Sequence, residues 1–149
     1  MPFDREQIEA RLALDLIVSA DMPQIGQDAL EAGLDGPATL RLAILERPTY
    51  FEVAEVLPRV VNELGLAQIT IGEAAPRVAK ETAREILRNG DDPLRHVQAF
   101  ELLWVRSKYA KEIQTLGTLH DDVWIAQSTG RSDEQIRDWV TSVLKDFAQ

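Results

Sequence analysis

The chain has 149 residues, of which 45% are hydrophobic and 28% charged, with a formal net charge of −9. These values exclude a disordered chain and predict one self-folding domain with a sizeable core. The absence of cysteine excludes a disulfide framework and a thiolate metal site, and the acidity disfavours nucleic acid, whose phosphates it would repel.

The opening "MPFDREQIEA" turns acidic at once and lacks the basic start and apolar core of a signal peptide. The densest apolar run, "LALDLIVSA", is short and interrupted by Asp15, so a cytoplasmic protein without a membrane span is expected. Asp4 with Gln7 has the capping-box pattern, and Ile8, Leu12, Leu16 and Ser19 recur at helical spacing. They predict a central first helix that runs on until Met22-Pro23 opens a second, which closes at Gly33. Pro37 suits the first turn of a third helix, "ATLRLAILER", apolar nearly all round and therefore expected to be largely buried before Pro48 stops it.

Thr49 with Glu52 is a second capping box, opening a helix that Pro58 should kink or divide and Gly65 should end. "LAQITIG" alternates like a strand, but without a partner strand it is expected to be a loop. Val78, Ala79, Thr82, Ala83, Ile86 and Leu87 mark an amphipathic helix from about Glu73 to Asn89, capped by Gly90. Asp92-Pro93 starts the next, with Val97, Phe100, Leu103 and Trp104 inward, and its pattern extends towards Ile113. "TLHDDVWIAQ" forms a short helix that Gly130 terminates; Ser132 with Gln135 then caps a last helix carrying Ile136, Trp139, Val140, Val143, Leu144 and Phe147. The expected fold is all-α, a single domain over residues 1–149 built as a bundle of about seven helices.

Charge divides unevenly. Residues 1–75 hold 5 Lys and Arg against 13 Asp and Glu, whereas residues 76–149 hold 11 against 12. An acidic half attracts basic surfaces. Its candidate partner-binding residues are Asp28 and Glu31 on the second helix, Asp35 after its cap, and Glu52 and Glu55 at the start of the fourth; all five can face solvent while their neighbours fill the core. Lys80, Arg84 and Arg88 make a basic stripe in the second half, for which Glu81 and Glu85 offer local pairs. Trp104, Trp124 and Trp139 fall on apolar helical faces and are expected in the core.

His96, His120 and Asp121 have a spacing similar to the HD superfamily of metal-dependent phosphohydrolases, all-α enzymes in which a histidine, a His-Asp dyad and a later aspartate hold a divalent cation. The resemblance covers three residues, and the later aspartates, Asp138 and Asp146, fall on the outward side of the last helix. The other reading places His120, Asp121 and Asp122 in a first helical turn, where carboxylates stabilise the helix dipole.

Over "IVSADMPQIGQDALEAGLDGPATLRLAIL" and "REILRNGDDPLRHVQAFELLW" the chain resembles a widespread set of small bacterial all-α proteins without an established activity. Gly33, Leu34, Asp35 and Pro37 look like that set's turn between early helices, and Gly90, Asp92, Pro93 and Trp104 like its helix-to-helix corner. Proteins of this kind are often suspected of being immunity proteins for bacterial toxins. The expected function is therefore a non-enzymatic, cofactor-free module that binds a basic protein, with a toxin domain as the partner the resemblance implies. A metal-dependent phosphohydrolase using His96, His120 and Asp121, and a structural or self-associating protein, are the alternatives.

Overall fold

The computed structural model describes residues 2–149, which are all-helical: nine α-helices and three short 3-10 turns, with no strand among the described residues. The chain divides into two compact units, one up to Ile69 and one from Thr70 to Gln149.

The first unit contains α1 (Arg5–Ala13), α2 (Met22–Glu31), α3 (Pro37–Ala43) and α4 (Tyr50–Leu64). Its core gathers Ala29, Leu42, Val53, Val56, Val60 and Leu64, with Ile8 and Leu12 of α1 packed against it. The short α3 packs against both α2 and α4. At the α2–α3 contact Gly26 is indispensable: a β-carbon there would lie 2.8 Å from the Ala43 amide nitrogen and 3.0 Å from the Thr39 carbonyl oxygen. Backbone stands against backbone, so no side-chain rotation can relieve the clash.

Three side chains tie backbone ends across this unit. The Glu63 carboxylate of α4 accepts hydrogen bonds from the N–H groups of Ala38 and Thr39 and from the Thr39 hydroxyl, each at 2.9 Å. It thereby satisfies the open donors at the start of α3, whose own N-cap, Gly36, has no side chain to do so. A β-carbon on Gly36 would collide with that carboxylate. On the other side, the Arg5 guanidinium donates to the Leu64 carbonyl, and the Ala67 N–H donates to the buried Glu9 carboxylate at 2.6 Å. The first helix thus clamps the C-terminal end of the fourth.

Several expectations about helix ends are corrected here. The first helix does not reach Ser19: the Asp15 N–H donates to the Leu12 carbonyl and the Leu16 N–H to the Arg11 carbonyl, with Asp15 left-handed at φ 54°. This is the two-bond closure usually built on glycine. Asp15 is exposed, and Ser19–Asp21 forms a separate 3-10 turn before α2. The third helix ends at Ala43, and Leu40 and Ile44 remain exposed, so it is buried on one side only. Pro58 does not divide the fourth helix, which runs unbroken from Tyr50 to Leu64. Both halves of its capping box form, Glu52 N–H to Thr49 Oγ1 at 3.2 Å and Thr49 N–H to Glu52 Oε1 at 3.1 Å.

The second unit contains α5 (Ile71–Asn89), α6 (Val97–Arg106), α7 (Gln114–Gly117), α8 (Leu119–Ser128) and α9 (Asp133–Ala148). The long helices α5 and α9 pack together, while α6 packs against α7 and α8. Ala79, Ala83, Phe100, Ile113, Leu116, Leu119, Ile136, Val140 and Leu144 are buried. The Ser132–Gln135 capping box starts α9 as expected, and Asp92 caps the 3-10 turn Pro93–Arg95 through the Leu94 N–H while pairing with Arg137 at 3.2 Å. The sixth helix stops well before Ile113, because Lys108 and Tyr109 adopt left-handed φ of 58° and 63° and the Tyr109 N–H closes back onto the Trp104 carbonyl at 2.8 Å. Tyr109 then stands edge-on to the Trp104 indole, 5.0 Å between ring centres.

Two tests follow from this packing. Gly26→Ala should destabilise the protein by about 1–3 kcal/mol by overpacking, outweighing the 0.5–1 kcal/mol that alanine gains in an unconstrained helix, as read from urea unfolding. The second concerns Glu63. Partial burial raises its carboxyl pKa, but the Thr39 and Ala38 N–H groups, the Thr39 hydroxyl and the Arg59 charge outweigh that and hold it below the usual glutamate value. A lowered native pKa means that the stabilisation is full above the unfolded-state value and is lost as pH falls through the native one. Glu63→Gln should therefore lower the urea midpoint at pH 7, and the gap to wild type should narrow steadily as the acid range is entered.

Candidate functional site

The fourth helix presents aromatic residues to solvent at its first turn. Tyr50 and Phe51 are 70% and 80% exposed, and their rings meet edge to face with centres 5.7 Å apart. Their position follows from local sequence. The capping box at Thr49 fixes the helix start, so Tyr50 and Phe51 are its first two residues. The inward line is Val53, Val56, Val60 and Leu64, whereas Phe51 shares a line with Glu55, Pro58 and Asn62, all exposed. Tyr50 also helps to line a groove of about 180 Å³, whose floor includes Leu12, Ile17, Met22, Val53 and Leu57. An exposed aromatic pair beside an apolar groove can fill or cover a partner's surface at little entropic cost, because edge-to-face contact already limits the ring orientations.

The first unit holds 5 Lys and Arg against 12 Asp and Glu. The five expected partner-binding carboxylates fall into two pairs and a turn residue. Asp28 and Glu31 lie on α2, Asp28 partly buried and accepting from Gln24 Nε2 at 2.8 Å, Glu31 exposed. Glu52 and Glu55 lie on α4 on either side of the Val53–Ala54 step, both exposed; Glu52 completes the capping box and Glu55 pairs with Arg41 of α3 at 3.4 Å. Asp35 is exposed in the turn between α2 and α3. Since α3 packs against both α2 and α4, the pairs flank one helix.

The candidate metal ligands stand differently. His96 is the N-cap of α6, its Nε2 3.6 Å from the Asp91 carboxylate, while His120 and Asp121 are exposed in the first turn of α8. Among the described residues, no three His, Asp or Glu side chains are grouped so as to hold a metal ion. Asp121 and Asp122 occupy the first turn of α8, where a carboxylate contributes about 0.3–1 kcal/mol against the helix dipole. Trp124 does not anchor that helix in the core: it is 68% exposed, because Leu119, Val123 and Ala126 supply the inward face. Within the basic stripe of α5, Arg88 pairs with Glu81 at 3.5 Å and Arg84 donates to the Ala148 carbonyl at 3.0 Å.

Sequence reasoning missed Tyr50 and Phe51 as functional candidates, treating them as ordinary members of an amphipathic helix. The signal was present for Phe51, four residues before Glu55 and seven before Pro58 on the polar line.

The fold and this surface define a small all-helical protein whose exposed aromatic pair sits in an acid-rich unit. No family model, curated protein or solved structure matches the chain. No helix among the described residues is long and apolar enough to cross a membrane.

If the aromatic pair is not part of the fold's support, its loss should leave stability intact. Phe51→Ala is expected to shift unfolding free energy by less than about 0.5 kcal/mol, as for other exposed sites, whereas Val56→Ala, which opens a small void in the core, should cost distinctly more. Thermal or urea unfolding of the two variants side by side gives the comparison.

Proposed function

We propose that the protein is a non-enzymatic binding module that engages a basic protein through the acidic first unit, with Tyr50 and Phe51 as anchors. The observation that carries this reading is the exposed aromatic pair in a unit with a net of −7, next to Glu52 and Glu55. Aromatic side chains dominate binding energy where they become buried at the centre of an interface, and surrounding charges steer encounter and reject partners of the wrong sign. Asp28, Glu31 and Asp35 extend the attractive field beyond the contact itself. A basic toxin domain, neutralised as an immunity protein would neutralise it, fits these requirements, and no cofactor enters the interaction.

The test has two variants and one partner search. Basic proteins captured from the source cells by the wild-type chain are purified, and their association and dissociation rates are measured. Phe51→Ala should raise the dissociation rate at least tenfold. Neutralising Asp28, Glu31, Asp35, Glu52 and Glu55 together should slow association, and the wild-type association rate should fall with salt as the Debye length contracts to about 8 Å at physiological ionic strength. Rates indifferent to salt, to Phe51 and to the five carboxylates would sink the reading.

A further inference from the structure

The second unit carries the electrostatic opposite of the Tyr50–Phe51 surface. On α6, Leu102 and Val105 are exposed one turn apart, and Tyr109 follows them, 60% exposed in the left-handed turn and held edge-on against Trp104. Interleaved with them are Arg106, Lys108 and Lys111, all exposed. The ten residues from Leu102 to Lys111, bordered by Glu101 and Glu112, hold three cations and no carboxylate, and they coincide with exposed aliphatic and aromatic side chains. The segment from Glu46 to Glu55 is net acidic, with Glu46, Glu52 and Glu55 against Arg47, all four exposed, and it carries Tyr50 and Phe51.

We propose that the partner of the acidic aromatic surface is a second copy of this chain, whose Leu102–Lys111 surface docks onto Tyr50 and Phe51. The inference rests on the binding reading above and names its partner. Charge complementarity selects the occupant: a basic surface of the kind the first unit attracts is present, at equal concentration, as the Leu102–Lys111 segment of every other copy, although the second unit as a whole, with 11 Lys and Arg against 13 Asp and Glu, is slightly acidic. Both surfaces carry an aromatic side chain already pinned by a neighbouring ring, Phe51 by Tyr50 and Tyr109 by Trp104, which lowers the ordering cost on each side. The contact joins two different surfaces, so it is head-to-tail, and assembly continues beyond two copies unless the rotation closes a ring.

Sedimentation velocity of the purified full chain at rising concentration provides the test. Wild type should form species larger than one copy at low salt and dissociate as salt is added. Two charge-reversed variants sharpen it. Glu46→Lys with Glu55→Lys makes both surfaces basic, and Lys108→Glu with Lys111→Glu makes both acidic; Glu52 is left in place because it caps α4. Each variant alone should remain a single copy, with at least a tenfold loss of association, and an equimolar mixture should assemble again, because each then meets an opposite surface. Circular dichroism of each variant guards against loss of the fold. A wild type that stays a single copy at every concentration, or variants that fail to assemble on mixing while remaining folded, would overturn the inference. If that happens while a captured basic protein still depends on Phe51 and the carboxylates, only the second-copy partner falls and the binding reading stands.

Discussion

A unit built from short helices has many helix ends for its length, and each end leaves several backbone donors or acceptors open. The first unit meets this constraint with carboxylates. Asp4 accepts from Gln7 N–H at α1, Glu52 completes the box at α4, Glu63 takes both N–H groups and the hydroxyl at α3, and Glu9 takes the Ala67 N–H beyond α4. The α3 arrangement is the one the others depend on. Its N-cap is Gly36, so without a carboxylate from α4 a seven-residue helix would begin with unmet donors. With Glu63 in place, α3 is fixed to α4, and Gly26 then allows α2 to close on α3 backbone to backbone.

Much of the acidity of this half is therefore structural. A count of charges along the sequence does not distinguish Glu63, held by three hydrogen bonds to α3, from Glu31 or Asp35, which face solvent. The field outside the protein still includes Glu63, whose carboxyl pKa the Thr39 and Ala38 N–H groups hold below the usual glutamate value. What differs is which can be removed without disturbing the fold. Substituting Glu31 or Asp35 alters the field alone, whereas substituting Glu63 alters the field and unfastens a helix.

The all-helical class was legible from periodicity, and the helix ends show why boundaries were not equally so. Those at Gly33, Gly65, Gly90 and Gly130 were found, and each glycine has a positive φ. Two of those that were missed, after α1 and after α6, close with the same backbone hydrogen bonds but place Asp15 and Lys108 at the left-handed residue. Such positions cost a non-glycine residue roughly 1 kcal/mol or more, and only tertiary packing repays it, which a local pattern cannot reveal. Exposure failed for a related reason. Leu40, Ile44 and Trp124 sit on helices whose small neighbours, Ala38, Ala43 and Ala126, take the buried side, so the bulkier residue is left facing out. Hydrophobicity alone assigns the large residue inward; packing against a close neighbour selects the small one.

That same inversion explains where a binding surface can arise in this protein. Where helices approach closely enough to need Gly26, Ala38 and Ala43 between them, aliphatic bulk is displaced to the rim, and α3 carries Leu40 and Ile44 outward as a direct result. At α4 the displacement has a different cause: the capping box sets the phase of the helix, Val53, Val56 and Val60 take the core, and Phe51 is rotated onto the line of Glu55. Apolar anchors and carboxylates are thus brought onto one helical face by the local hydrogen bonds that start the helix. Salt separates the two roles of the carboxylates. Added ions screen the exposed charges at Glu31, Asp35, Glu46 and Glu55 over distances beyond a Debye length, but hardly touch a direct hydrogen bond from Ala38 or Thr39 to Glu63. The proposed attraction of a basic surface would therefore respond to ionic strength across a range in which the fold that presents Tyr50 and Phe51 stays assembled.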